Sequence, residues 1–259
     1  MGQFINVVVE AKVATVTINN PPVNALSFAL MKELGETLDA LKGDPAVRVV
    51  ILTGAGPVFV AGADIKEFSQ LTNAEAGKKA TANGQAVFMK IERLEKPVIA
   101  AINGVCLGGG MEMAMACHIR ICSDRAKLGQ PEINLGIIPG FGGTQRMSRL
   151  AGKAKAIEWI LTGDNIAPLD AKAAGLVNHV VPEAELLRTC QGMARKIAMK
   201  PAVAVAQALK ALTLGPEQSR LDEGMKLESE MFAHCCESPD LKEGVSAFLE
   251  KRQPKFTDQ

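Results

Sequence analysis

The sequence predicts an α/β fold built on a parallel sheet, and three observations carry that expectation. Val47 to Leu52 and Val98 to Ile102 are apolar runs with almost no polar interruption, as expected of strands covered on both faces. A long helical segment from about Asn73 to Glu95 lies between them, which gives the strand, helix, strand order of a parallel unit. Of the 259 residues 47% are apolar, and 29 Lys+Arg against 28 Asp+Glu leave a net charge of +1. Such a chain buries enough apolar surface to offset its ordering entropy, so global disorder is excluded.

Taken in order, Phe4 to Val9 and Val13 to Ile18 are β-branched runs around a short polar connection and predict a hairpin at a sheet edge. Asn19-Asn20-Pro21-Pro22 ends that strand structure. Leu30, Met31, Leu34, Leu38 and Leu41 recur at helical spacing, predicting a helix from Ser27 to Lys42 with Ser27 as N-cap and Gly43-Asp44-Pro45 as its stop. The segment Phe68 to Gln85 is rich in Ala, Asn and Lys and suits either a lid or a solvated helix end. After Leu128 a Gly/Pro loop runs from Gly129 to Gly143, followed by helical patterns broken at Pro168, Pro182, Pro201, Pro216 and Pro239. Residues alone therefore suggest an α/β core to about Asp124, then a mainly helical part, with no long linker and no repeat.

Several function classes fall away. The near-neutral charge lacks the basic excess of a nucleic-acid binder. Val98 to Cys117 is interrupted by Asn103, four glycines and Glu112, which argues against a membrane span. No signal-like n-region or h-region precedes the first strand, so a cytoplasmic chain starting near Met1 is expected. Cys106, Cys117, Cys122, Cys190, Cys235 and Cys236 form no CxxC pair and read as small buried side chains. His118, His179 and His234 lie far apart and no GxSxG surrounds a serine, which leaves a Ser-His-Asp hydrolase without support.

Three segments carry candidate chemistry. Phe59 to Lys66, with small residues after a strand, lets a ligand approach backbone N–H groups, although an ordinary Gly-rich turn has the same look. Asn103 to Glu112 places three glycines at the start of a helix, whose unpaired N–H groups suit an anionic oxygen. Glu112 then sits on the first turn, where a carboxylate also simply favours the helix dipole. The GxGxxG register is absent, and no GK[ST] follows. In Gly129 to Gly143 a single acidic residue, Glu132, stands among apolar neighbours, and the run Ile133 to Ile138 reads as buried. Two carboxylates converging from separate loops are equipped for acid and base work, and no His lies near either to suggest a metal.

Together, AGADIK (Ala61 to Lys66), NGVCLGGGMEMAMACH (Asn103 to His118), QPEINLGIIPGFGGTQR (Gln130 to Arg146) and the tail KEGVSAFLEKRQPKF resemble the crotonase (enoyl-CoA hydratase/isomerase) superfamily across essentially the whole chain. The resemblance implies a spiral of ββα repeats over residues 1–195, with a helical C-terminal trimerisation region over 196–259, assembled as homotrimers or homohexamers without nucleic acid or membrane. It implies an oxyanion hole from the N–H groups of Ala63 and Gly109, and catalytic Glu112 and Glu132. Gly140 would help position water, and Ala61, Ala63, Asp64, Ile65 and Lys66 would line the CoA site. Phe248 and Lys251, three apart and expected on one helix face, would reach a neighbouring subunit's CoA. Two glutamates select enoyl-CoA hydratase, a hydro-lyase making 3-hydroxyacyl-CoA from trans-2-enoyl-CoA without metal or redox cofactor; a Δ3-Δ2 enoyl-CoA isomerase is the alternative. One departure is Val23, where many members carry a basic residue.

Overall fold

The structure is a computed structural model that describes residues 2–69 and 72–258, apart from the Phe68 side chain. Gln70 and Leu71, within the expected lid or helix end, lie outside the described residues. Strands β1 (Ile5–Glu10) and β2 (Val13–Ile18) form the antiparallel hairpin, and β1 is the sheet edge. Helix α1 (Phe28–Gly43) begins as expected at Ser27, whose side chain accepts from the Leu30 N–H at 3.2 Å. β3 (Val49–Gly54) and β4 (Val58–Val60) precede the single-turn α2 (Ile65–Phe68) and α3 (Ala74–Glu92). β5 (Val98–Ile102) and β6 (Val105–Leu107) lead into α4 (Gly109–Ala116). β7 (Ile119–Ser123) and β8 (Lys127–Gly129) lead into a 3-10 turn at Pro131–Leu135, then α5 (Gly143–Ala151) and α6 (Lys153–Thr162).

Next come α7 (Pro168–Ala173), β9 (His179–Val181), α8 (Leu186–Ala198), α9 (Ala202–Leu214), α10 (Leu221–Glu237) and α11 (Pro239–Leu249). The prolines break the helices where expected: Pro168 and Pro239 occupy first helical turns, and Pro201 immediately precedes α9.

The described residues form two sheets. The large one has the order β1-β2-β3-β5-β7-β9 and is parallel from β2 onward, and the small one has the order β4-β6-β8. Each turn of chain lays one strand in the large sheet, one in the small sheet, then helix. This ββα unit recurs three times, so the repeat that the residue pattern does not display is present in the backbone.

Alternate residues of the large-sheet strands face different cores, which explains their unbroken apolarity. Val50 and Leu52 join the main core with α1 and α3, whereas Val49 and Ile51 pack with Leu186, Cys190, Ala194 and Ala198 of α8. The core expected to end near Asp124 therefore continues, since β8 and β9 extend both sheets and α8 seals the far face. Residue 195 falls inside α8, and the chain leaves the core only after Ala198. Four of the cysteines are buried, but Cys235 is half-buried and Cys236 exposed, which corrects the expectation for all six.

The tail returns to the core. Buried Asp240 accepts from the Thr257 and Asp258 N–H groups at 2.7 and 2.9 Å, and Asp258 pairs with Lys12 and Arg48 at 2.9 and 3.0 Å. Among the described residues, no single helix is long and apolar enough to cross a membrane.

Candidate functional site

The site begins with two backbone donors. Leu26 and Ala63 form one isolated parallel bridge: the Leu26 N–H donates to Gly62 O at 2.8 Å, and the Asp64 N–H donates to Leu26 O at 3.0 Å. In such a bridge the N–H of Ala63 points the other way, and it has no partner among the described residues. Asn24 makes the bridge possible, because its buried amide donates to the carbonyls of Ala55 and Val58 and pins the chain beside β4. The second donor is Gly109, first residue of α4, whose N–H is one of the orphan groups of a helix start. A Cβ on Gly109 would lie 3.5 Å from the Ala63 nitrogen and 3.1 Å from Leu26 Cδ1, so the two N–H groups are neighbours and a side chain would crowd them.

Glu112 follows on the first turn of α4 and is only 2% exposed. Its Oε1 accepts from the N–H groups of Phe141 and Gly143, each at 2.7 Å. These donors come from the loop before α5 and from the first residue of α5, so the carboxylate sits at a second helix N-terminus. Gly143 is required there, since a Cβ would meet Pro139, Gln130 and Glu112 Oε1 within 2.9 Å.

Glu132 comes from the 3-10 turn on the opposite side, and a Cβ on Gly108 would lie 3.0 Å from its Oε1. With its amide nitrogen turned toward Glu132, the orientation that matches donors to acceptors, fully buried Gln130 donates to both carboxylate oxygens at 2.9 and 3.0 Å. The run after Glu132 is not buried as expected: Leu135, Ile137 and Ile138 are exposed, the last at 65%. The apolar pattern there belongs to a surface loop; Glu132 itself is half-buried, with Gln130 and Gly108 close to its carboxylate.

Burial pushes the Glu112 carboxyl up to about 7, and the negative charge of Glu132 adds to the rise, opposed by the Gly143 and Phe141 N–H groups and by Arg146. Burial likewise pushes Glu132 up to about 7. Two carboxylates of this kind exchange a proton readily near neutral pH, beside two N–H groups free to receive an oxygen that gains negative charge. Among the described residues no cluster of three or more His, Cys, Asp or Glu is placed to hold a metal.

The remaining expected residues are positioned as follows. The Ala61 N–H donates to Val23 O at 3.2 Å, and the Val23 side chain is exposed beside that segment. Asp64 caps α2 by accepting from the Lys66 N–H at 2.9 Å, with Ile65 and Lys66 exposed. Gly140 lies against Thr81, and its carbonyl accepts from Gln85 Nε2 at 2.8 Å.

Phe248 is 83% exposed on α11, but Lys251 is not on that helix. α11 ends at Leu249, and Lys251 takes a left-handed conformation at φ 55° while the Arg252 N–H closes back on Ala247 O at 3.0 Å. The shared helix face expected for the pair is therefore corrected: Phe248 lies within the helix, whereas Lys251 lies beyond its end. Sequence reasoning also missed Phe141, Gly143, Gln130 and Arg146, which touch the glutamates or their donors, and Glu92, which pairs with Arg146. The Gly142-Gly143 pair was the one available signal, since consecutive glycines mark backbone packed too closely for a Cβ.

Comparison with known proteins adds independent findings. A family profile described as Enoyl-CoA hydratase/isomerase matches residues 9–259. The chain is 47% identical over 253 residues to a probable enoyl-CoA hydratase of Bacillus subtilis, covering 97% of this chain and 98% of that one. It is 48% identical over 246 residues to a short-chain-enoyl-CoA hydratase of Clostridium acetobutylicum, covering 94% of each. A crystal structure of an enoyl-CoA hydratase from Bacillus anthracis superposes with a TM-score of 0.94 at 40% identity, covering 99% of this chain and all of that one.

Proposed function

The chain belongs to the enoyl-CoA hydratase/isomerase family, and we propose that it adds water reversibly to the C2=C3 bond of a trans-2-enoyl-CoA, giving the 3-hydroxyacyl-CoA. The observation that carries this reading is the convergence of Glu112 and Glu132 beside the free N–H groups of Ala63 and Gly109. The thioester oxygen becomes enolate-like as water attacks C3, and two rigid backbone donors stabilise that charge, each worth roughly 3 kcal/mol by the cost of deleting such donors elsewhere.

Glu112, ionised, takes a proton from the attacking water, and Glu132, protonated, delivers one to C2 on the same face, which makes the addition syn. The pair shares one proton in the working state and titrates as a unit. Water is the only co-reactant, so neither metal nor redox cofactor enters the balance, and CoA is part of the substrate. Two carboxylates at the N–H pair favour hydration over a Δ3-Δ2 isomerase, which needs one. The same reading assigns Ala61 to Lys66 to the CoA moiety, Gly140 to the water, and Phe248 and Lys251 to a neighbouring subunit's CoA in a cytoplasmic trimer or hexamer.

Loss of the enoyl-thioester absorbance on crotonyl-CoA and longer enoyl-CoA substrates tests the reading. Glu112→Gln and Glu132→Gln should each lower kcat at least ~100-fold with little change in KM, and the double variant should lose far less than the product. Near-normal hydration by either single variant removes that residue from the mechanism.

A further inference from the structure

Glu112 is held by two backbone N–H groups, and the residue that supplies one of them, Phe141, is held in turn by an ion pair between buried Arg146 and half-buried Glu92. Arg146, on α5, reaches back across the loop that precedes its own helix. Its Nη1 donates to Phe141 O at 2.9 Å, and its Nη2 donates to Glu92 Oε2 on the last turn of α3 at 2.7 Å. Phe141 is therefore gripped from both sides, with its N–H on Glu112 and its carbonyl on Arg146. Gly142, at φ 107°, lets the guanidinium pack directly on the backbone, since a Cβ there would come within 2.3 Å of Nη1.

A partly buried ion pair of this kind contributes little to stability once desolvation is counted, and apolar replacements of buried pairs often stabilise a protein. Its placement, one residue from a catalytic carboxylate, gives it a different use. Resting on the assignment of Glu112 as the base, we propose that Arg146, braced by Glu92, is a positioning residue: it fixes the loop from Pro139 to Gly143 so that two N–H groups grip Oε1 and leave Oε2 to the water. Among the described residues Oε2 has no partner.

The fork shape of the side chain matters as well as its charge. One guanidinium spans a carbonyl and a carboxylate at fixed separation, whereas an ammonium is a point charge that holds one at a time. The charged and titratable groups around Glu112 are Glu132 from the 3-10 turn and Arg146 from α5, with Glu92 of α3 behind Arg146. Arg146 also faces the Cys117 thiol at the end of α4, and Glu92 faces His118, which lies beside Arg120.

The test compares Arg146→Met, Arg146→Lys and Glu92→Gln in the full-length protein, measuring crotonyl-CoA hydration from about pH 5.5 to 9 together with thermal unfolding. A loop displaced by an ångström costs on the order of 100-fold in rate. Arg146→Met should therefore lower kcat about 10- to 100-fold at neutral pH, leave KM within about twofold, and move the acid limb to higher pH, because Glu112 loses the cation that favours its ionised form. Arg146→Lys should return the acid limb to its wild-type position without restoring full kcat. Glu92→Gln should lower kcat while moving the limb the opposite way, since it removes a negative charge behind the cation.

A wild-type kcat and pH profile in Arg146→Met overturns the proposal. So does a set of variants whose kcat falls only in step with thermal stability, at an unchanged pH profile. If Arg146→Met does not fold, a reduced kcat at an unmoved acid limb in Arg146→Lys, beside a limb moved to lower pH in Glu92→Gln, decides the matter alone. Glu112→Gln in the same assay separates the two levels: an active Glu112→Gln enzyme defeats the hydratase mechanism itself, whereas an inactive one beside normal Arg146 and Glu92 variants defeats only the positioning role.

Discussion

Replacing Glu112 by Gln should abolish turnover and, at the same time, make the protein more stable above neutral pH. The substitution is nearly isosteric, and a Gln Oε1 can accept the same two N–H groups that Glu112 Oε1 accepts from Phe141 and Gly143. What disappears is a buried charge. The folded carboxyl titrates at about 7 against 4.5 for the free group, so between those values the folded state keeps a proton that the unfolded chain has released. Stability contributed by this group is therefore greatest at low pH and falls as pH rises through that window. At about 1.4 kcal/mol per tenfold change in the ionisation constant, the loss approaches roughly 3 kcal/mol once the group is fully ionised. The Gln variant escapes that loss, so its advantage over wild type should grow from near zero below about pH 4.5 to a few kcal/mol at about pH 8. Urea unfolding at a series of pH values, extrapolated to water, measures this difference directly. A difference that stays flat with pH, or a variant less stable than wild type at pH 8, would show that burial does not raise the carboxyl and would undercut the acid and base roles built on it.

Other expected outcomes follow from the same geometry. Gly109→Pro removes one free N–H at a first helical position where proline is tolerated, so it should abolish hydration with an unchanged circular dichroism spectrum, while Gly109→Ala, which keeps the N–H but meets Leu26 at 3.1 Å, should retain part of the activity. Gly84→Ala places a Cβ within 2.3 Å of the Phe141 ring, which packs edge-on to Phe88 at 5.7 Å; it should lower kcat about tenfold or more and destabilise the protein by roughly 1–3 kcal/mol, both readable from kinetics and urea unfolding. Glu132→Gln removes the negative charge that adds to the rise in Glu112, so the surviving activity should show an acid limb displaced to lower pH. Lys251→Ala should raise KM for CoA thioesters more than for pantetheine thioesters at nearly constant kcat, and co-refolding it with Glu132→Gln subunits should exceed the weighted average of the two activities if the tail serves a neighbour.

How much of this was legible in the residues depends on what each feature needs from distant chain. The hairpin, α1 with its Ser27 cap, and β5 are local: side-chain period and capping chemistry decide them, and they fall where the pattern places them. The small sheet was not legible, because β4, β6 and β8 are three residues each. A run that short carries no period, and its pairing comes from the turn of the spiral rather than from its own residues. β9 was hidden for the same reason, its three residues joining the sheet through β7 from far along the chain.

The candidate site divides along the same line. Glu112 and Glu132 stand out because a carboxylate among glycines and apolar residues is costly unless something nearby satisfies it. The groups that satisfy them do not stand out, because they are backbone N–H groups of Phe141 and Gly143, which every non-proline residue possesses. Arg146 and Glu92 are 54 residues apart and look like ordinary surface charges in sequence, and only the close packing of α3 on the loop before α5 turns them into one partly buried fork. The Ile133 to Ile138 run misled for the converse reason: apolar residues predict burial only when a partner surface exists, and this single chain offers none over Leu135 or Ile138. In a site built this way the costly carboxylates announce themselves in the sequence, and the groups that hold them are found only from the fold. Backbone donors also explain why glycine is so dense here: at Gly109, Gly142 and Gly143 a Cβ would meet another group that the site requires, so the glycines are the sequence's one trace of a machinery made mostly of main chain.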